Sequence, residues 1–134
     1  MNCLLDTHIL LWALTGDRKL PERARKLIAD ERNEIYYSTA SVWEVSIKHT
    51  LHSEIMPISG KALSDYCLKA GYRILAVRDD HVFMLETLRR AENAPKHTDP
   101  FDRIMLAQAK AENCVFLTHD SLIPYYEENC ILHV

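Results

Sequence analysis

Acidic side chains recur in this sequence where a short apolar run gives way to a longer polar–apolar pattern. Asp6 follows Asn2–Leu5, Glu44 lies just beyond Ser38, Asp99 and Asp102 open the segment leading to Val115, and Asp120 follows Val115–Thr118. If the fold gathers these carboxylates at one mouth, each neighbouring pair costs on the order of a few kcal/mol at low effective dielectric. Divalent metal resolves that conflict, because hard cations such as Mg²⁺ and Mn²⁺ take carboxylate and water oxygens. A metal so held activates water and stabilises charge on a phosphodiester, the chemistry of metal-assisted in-line displacement. No clustered Cys/His ligand set accompanies the acids, which favours Mg²⁺ or Mn²⁺ over zinc.

Each acid also has a plain structural role open to it. Asp6 and Asp120 suit helix N-caps. Ser41-Val42-Trp43-Glu44 fits a capping box, with Glu44 reaching back to a backbone N–H. Asp99-Pro100-Phe101-Asp102 reads as an N-cap followed by Pro at the first helical position and an acid at the third. Capping alone gives no reason for several acids to converge, so convergence carries the functional reading.

The elements that must position them follow from periodicity. Asn2–Leu5, Ile35–Ser38, Arg73–Val77, Val115–Thr118 and Ile131–Val134 read as strands. Ile9–Leu14, Glu22–Asp30, Ser41–Thr50, Gly60–Ala70, His81–Ala91 and Asp102–Glu112 read as helices. That alternation predicts an α/β fold, a central parallel sheet with helices on both faces. Ligands of such sheets bind at the carboxyl ends of the strands, near a topological switch point. The acids stand at those ends.

Length and composition bound the rest. The 134 residues suit one domain, residues 1–134, and are 48% hydrophobic and 26% charged, as in an ordinary globular protein. The formal net charge of -3 argues against a broad nucleic-acid-coating surface but leaves room for a local basic groove. Met1-Asn2-Cys3-Leu4-Leu5 has no basic region before its apolar residues, so no secretory signal is expected. The apolar stretch that follows is too short for a bilayer. Cys3, Cys67, Cys114 and Cys130 are scattered without C-x-x-C spacing and read as buried free thiols. These features point to the cytoplasm.

The segments that carry the acids resemble the ordered motifs of PIN-domain nucleases. They are Leu4-Leu5-Asp6-Thr7-His8, Ser38-Thr39-Ala40-Ser41-Val42-Trp43-Glu44, the run from Asp99-Pro100-Phe101-Asp102-Arg103 to Ala109, and Leu117-Thr118-His119-Asp120. Their order covers nearly the whole chain, whose length is similar to that of the VapC toxins of bacterial toxin–antitoxin pairs. The resemblance implies a parallel sheet of about five strands, dependence on Mg²⁺ or Mn²⁺, and endoribonuclease activity on tRNA, rRNA or mRNA. It places Asp6, Glu44, Asp102 and Asp120 at the acidic positions of the site, with Asp99 as an additional acid. Ser38, Thr118 and Thr7 stand beside them as polar residues able to hold water or ligands. The resemblance also implies a cognate antitoxin and a homodimer, with Ile9, Leu11 and Trp12 as a docking surface.

Other residues carry weaker signals. Arg103 and Lys48 suit a substrate phosphate, although Lys48 also suits an i,i+4 pair with Glu44. Arg18, Lys19, Arg23, Arg25 and Lys26 form a basic stretch, open to RNA backbone or to solvent. His49 and His52 share a helical face without a third ligand, and His97 and His119 precede acidic motifs without a visible partner. Trp12 and Trp43 read as core or interface residues. Two alternatives to the nuclease are a catalytically silent RNA-binding module and a receiver- or phosphatase-like phosphoryl-transfer domain. The second is disfavoured by Asp6-Thr7-His8 in place of an acidic pair or D-x-D, and by the lack of a Gly-rich phosphate loop.

Overall fold

Five short runs pair into one sheet, the central ones too hydrophobic to face water on either side. The computed structural model describes residues 1–134. Its strands are β1 (Asn2–Leu5), β2 (Glu34–Ser38), β3 (Arg73–Leu75), β4 (Val115–Thr118) and β5 (Ile131–His133), in the order β3-β2-β1-β4-β5. Every pairing is parallel; Leu4, for example, sits opposite Tyr36 on one side and Phe116 on the other. The chain runs outward from β1 through β2 to β3, then returns to place β4 on the other flank of β1. The crevice between β1 and β4 is therefore the switch point where such sheets bind ligands. This order differs from the 2-1-3-4-5 arrangement of flavodoxin- and receiver-like folds, which removes the receiver alternative.

Alternation along the strands divides the core in two. Cys3, Leu5, Ile35, Tyr37 and Leu117 point to one face, where Ile9, Leu10, Ala24, Val45 and Leu63 cover them. Leu4 and Phe116 point to the other, against Met105, Leu106 and Ala109. The first face is covered by α1 (Thr7–Thr15), α2 (Glu22–Ala29), α3 (Thr39–Leu51) and α4 (Gly60–Lys69), the second chiefly by α6 (Pro100–Glu112). Burial on both faces explains why the central strands β1 and β4 read as near-continuous apolar runs. All four cysteines are free, with Cys3, Cys67 and Cys114 buried. No helix is long and apolar enough to cross a membrane.

Several expectations are corrected. The helix expected over His81–Ala91 is α5 (Asp79–Leu85), which starts two residues earlier and stops at Leu85. Backbone bonds from Ala91 N–H to Tyr125 and from Glu127 N–H to Arg89 draw the following residues out of helical geometry. Ser41–Glu44 is not a capping box, because α3 begins at Thr39 and Ser38 is its N-cap, accepting from Ala40 N–H. Asp120 caps no α-helix; its carboxylate accepts from Leu122 N–H in a turn before a short 3₁₀ segment. Trp43, read as core or interface, is 62% exposed and so not core. Ile9 is no docking residue, being wholly buried, while Leu11 and Trp12 pack half-buried against the same core.

The helix pair α3–α4 rests on one small residue. A Cβ at Gly60 would fall 1.9 Å from Ser46 Oγ and 2.9 Å from the Val42 carbonyl oxygen. The hydroxyl can turn away but the backbone cannot, so Gly60→Ala should force the helices apart and destabilise the protein by roughly 1–3 kcal/mol. Urea unfolding of the two proteins checks this, and equal midpoints would contradict the close approach.

Candidate metal centre

At the end of β1 the ladder continues one step, Asp6 N–H donating to the Leu117 carbonyl at 3.1 Å, and this turns the Asp6 side chain into the crevice. One carboxylate oxygen caps α1, accepting from Ile9 N–H at 2.8 Å. The other accepts from the Thr118 hydroxyl at 2.5 Å. Capping and a place in the crevice are thus compatible. Asp6 is 5% exposed, and burial raises its carboxyl pKa against the lowering effect of Thr118, Ile9 N–H and His8. Thr118 Oγ1 also accepts from Asp120 N–H at 3.1 Å, so one hydroxyl fixes both acids across the β1–β4 boundary.

Glu44 reaches the crevice from the second turn of α3. Its oxygens accept from Thr7 Oγ1 at 2.8 Å and from Lys48 Nζ at 2.8 Å. Thr7 Oγ1 lies 2.9 Å from Ser41 Oγ as well, which ties the start of α1 to α3. Asp99 caps α6 through Phe101 N–H and Asp102 N–H, leaving Asp102 on the first turn facing inward.

Asp102 is where the charges meet. Burial pushes its carboxyl up, and the negative charges of Asp99, Asp6, Asp120 and Glu44 push it further, to about 8. Five acids from four distant segments therefore share one field. The predicted Asp6, Glu44, Asp99, Asp102 and Asp120 are all brought together, with Thr7, Thr118 and Lys48 bonded to them. Ser38 is not among them: its hydroxyl donates to Gln108 Oε1 at 2.5 Å, and Gln108 in turn donates to the Leu75 carbonyl, tying β2 and β3 to α6. Arg103 also bonds to none of the acids; its Nε is buried without a partner.

One participant had no visible partner in the sequence. His97, its side chain 3% exposed, places Nε2 3.3 Å from Asp102 Oδ2 and Nδ1 2.8 Å from the Tyr126 hydroxyl. Burial lowers its pKa, the nearby Asp120 and Asp99 opposing and Arg90 and Arg103 reinforcing the shift. With Asp102 ionised, the neutral tautomer that fits donates from Nε2 to the carboxylate and accepts the Tyr126 hydroxyl at Nδ1. Donor atoms of His97, Asp102 and Asp120 all lie within 4.8 Å of one another. A histidine thus does stand among the carboxylates, where none was expected. The spacing His97-x-Asp99-x-x-Asp102 was its one signal; Tyr126, from the other side of the fold, gave none.

Two other clusters are occupied by the protein itself. His49 Nδ1 lies 2.8 Å from the Met56 carbonyl oxygen while His52 faces Glu54, so the two histidines form no joint site. Asp80, His81 and Glu112 lie close together, but Arg78 bonds both acids and His81 Nε2 sits 2.8 Å from Glu112, a clamp of α5 on α6.

Comparison with known proteins settles the family. The PIN domain family model matches residues 3–128. The chain belongs to the PIN domain family. The PIN fold here resembles VapBC2 from Rickettsia felis, bound to a DNA fragment of its promoter, at 18% identity and a TM-score of 0.71 over 100% of this chain and 99% of that one. A toxin–antitoxin complex from Klebsiella pneumoniae is similar at 17% identity and a TM-score of 0.57, over 97% of this chain and 95% of that one. FitAcB from Neisseria gonorrhoeae follows at 20% and 0.52, over 90% and 88%. At these identities the likeness establishes fold. No curated protein matches the PIN chain in sequence.

The raised Asp102 carboxyl has a direct consequence for metal-free protein. A folded pKa of about 8 lies above the unfolded value, so the folded state is favoured fully below about pH 4 and loses that contribution as pH rises through 8. Asp102→Asn should therefore raise the thermal midpoint in EDTA by several degrees at pH 9 and much less at pH 4. Midpoints that differ equally at both pH values would show that the Asp102 carboxyl is not raised.

Proposed function

We propose that this PIN domain is a metal-dependent endoribonuclease and the toxin of a toxin–antitoxin pair. The observation that carries the reading is the convergence of five acids on one crevice, where burial and then the charges of the other four push the Asp102 carboxyl up to about 8. An arrangement that strained at neutral pH fits a bound cation, and its oxygen-rich donor set with one imidazole fits Mg²⁺ or Mn²⁺. Asp6, Glu44, Asp102 and Asp120 would hold the ion, with Asp99 and His97 at its edge. When bound, such a cation supplies an acidic water as nucleophile and neutralises charge on the phosphodiester.

The protein's own residues do the holding. Thr118 fixes Asp6 against Asp120, Thr7 and Lys48 fix Glu44, and the pair Tyr126–His97 fixes the ring beside Asp102. Outer contacts of this kind set ligand orientation. Lys48, paired with Glu44, stands in a cleft of about 450 Å³ lined also by Ile47, Thr98, Asp99 and Phe101, which offers an RNA phosphate a way in once a cation offsets its acids. The toxin reading draws support from the structural neighbours, complexes of toxin with antitoxin. It includes a cognate antitoxin, a homodimer and a cytoplasmic site of action on tRNA, rRNA or mRNA.

Purified protein, free of antitoxin, should cut a mixed tRNA and rRNA pool at discrete sites with Mg²⁺ or Mn²⁺ and not in EDTA. Asp6→Asn should fold and fail to cut, and Thr118→Val should lose roughly 10–100-fold in metal affinity or activity. Cutting at the normal rate by Asp6→Asn would refute the assignment, and folded protein that never cuts would favour a silent RNA-binding module.

A further inference from the structure

His97 brings a ring nitrogen to the acidic crevice from inside the fold. Its side chain is 3% exposed, and the Tyr126 hydroxyl holds the far edge of the ring, 2.8 Å from Nδ1. Nε2 is left facing Asp102 Oδ2 at 3.3 Å, and no two of the donor atoms of His97, Asp102 and Asp120 are more than 4.8 Å apart. A hydrogen bond from a ring N–H to an ionised carboxylate runs to roughly 2.7–2.9 Å, so the contact with Asp102 is a loose one. Donors around a six-coordinate ion bonded at about 2.1 Å stand about 3.0 Å apart when adjacent and about 4.2 Å apart when opposite. The separation of His97 from Asp102 lies nearer to that adjacent spacing than to a tight hydrogen bond.

We propose that His97 ligates the divalent ion through Nε2, beside Asp102 and Asp120, and that this imidazole makes the site take Mn²⁺ in preference to Mg²⁺. The proposal rests on the metal-dependent reading of the crevice and names one ligand and its consequence. Tyr126 suits the role because a hydroxyl both donates and accepts. Without metal, Nε2–H points at Asp102 and the hydroxyl donates to Nδ1. With metal on Nε2, the ring keeps its one proton on Nδ1 and the hydroxyl accepts it. The same contact therefore orients the ring in both tautomers, as outer partners of ligating histidines do. Imidazole suits first-row transition ions, whereas Mg²⁺ takes oxygen ligands and keeps its waters. A ring placed only to brace Asp102 would not discriminate between the two ions.

The test is spectroscopic and needs no RNA. Full-length protein is stripped with EDTA, dialysed and loaded with Mn²⁺, and its electron spin echo is recorded with ordinary and with isotopically labelled histidine. Nitrogen modulation that follows the label is expected in wild type. It should vanish in His97→Gln and persist in His8→Ala and His119→Ala, exposed residues beside Asp6 and Asp120. Titration by the same resonance, with Mg²⁺ as competitor, should show His97→Gln weakening Mn²⁺ roughly tenfold and Mg²⁺ hardly at all. Wild type without histidine modulation overturns the proposal, as does modulation that survives His97→Gln or is lost in His8→Ala or His119→Ala. Equal losses for both ions in His97→Gln overturn it too and leave the ring a brace of Asp102. If His97→Gln fails to fold, the labelled wild type and the two surface variants still decide. Metal-dependent cutting by protein that shows no modulation would spare the nuclease reading and sink the ligand. Modulation in protein that binds Mn²⁺ and never cuts RNA would do the reverse.

Discussion

The constraint on which the site depends is that several carboxylates are held together in a crevice largely closed to water. Asp102 carries the burden, with burial first and four like charges after it raising its carboxyl to about 8. Nothing in packing calls for that arrangement, since acids on a surface are free to spread apart. The crevice tolerates it because Asp6, Glu44, Asp99 and Asp120 are held by hydroxyls and backbone N–H groups and Asp102 by the His97 ring, while only Glu44 has a cationic partner of its own, Lys48. Hydroxyls orient a carboxylate without cancelling its charge. The field stays negative and available to a cation.

The fold supplies what repulsion alone would scatter. The switch between β1 and β4 puts two strand ends side by side, and helices from either face deliver Glu44 and Asp102 to the same point. Buried polar bonds stiffen the frame: Ser38 to Gln108 and on to the Leu75 carbonyl couples two strands to the helix that bears Asp102. Broken in the core, such a chain would leave unsatisfied polar groups. Ser38, first read as part of the site, serves it from one layer behind.

What the sequence made readable follows from locality. Strands buried on both faces are short apolar runs, so β1 and β4 are found to the residue, and acids just past strand ends follow from that. Asp99 with Pro100 announces the start of α6. The misses depended on tertiary contacts. His97 gains its place from Tyr126, 29 residues away, and the segment after Leu85 leaves its helix because it pairs with residues near Tyr125. Trp43 sits on a helix whose apolar residues suggested core or interface, yet its ring lies exposed, edge-on to Phe101. Periodicity reveals a face and not what covers it.

The bond from Thr118 to Asp6 joins residues 112 positions apart. A ribosome adds roughly 5–20 residues per second, so on the order of ten seconds separate the synthesis of the two ends of that bond. Throughout that interval β1, the central strand, has only β2 to pair with and lacks β4 altogether. The acidic crevice therefore has no partial form: a nascent or truncated chain carries Asp6 and Glu44 but no place for them to meet Asp102 and Asp120. Whatever the five acids do together begins only once Thr118 and Asp120 have been made, and a frameshift anywhere between Asp6 and Asp120 removes at least one of them.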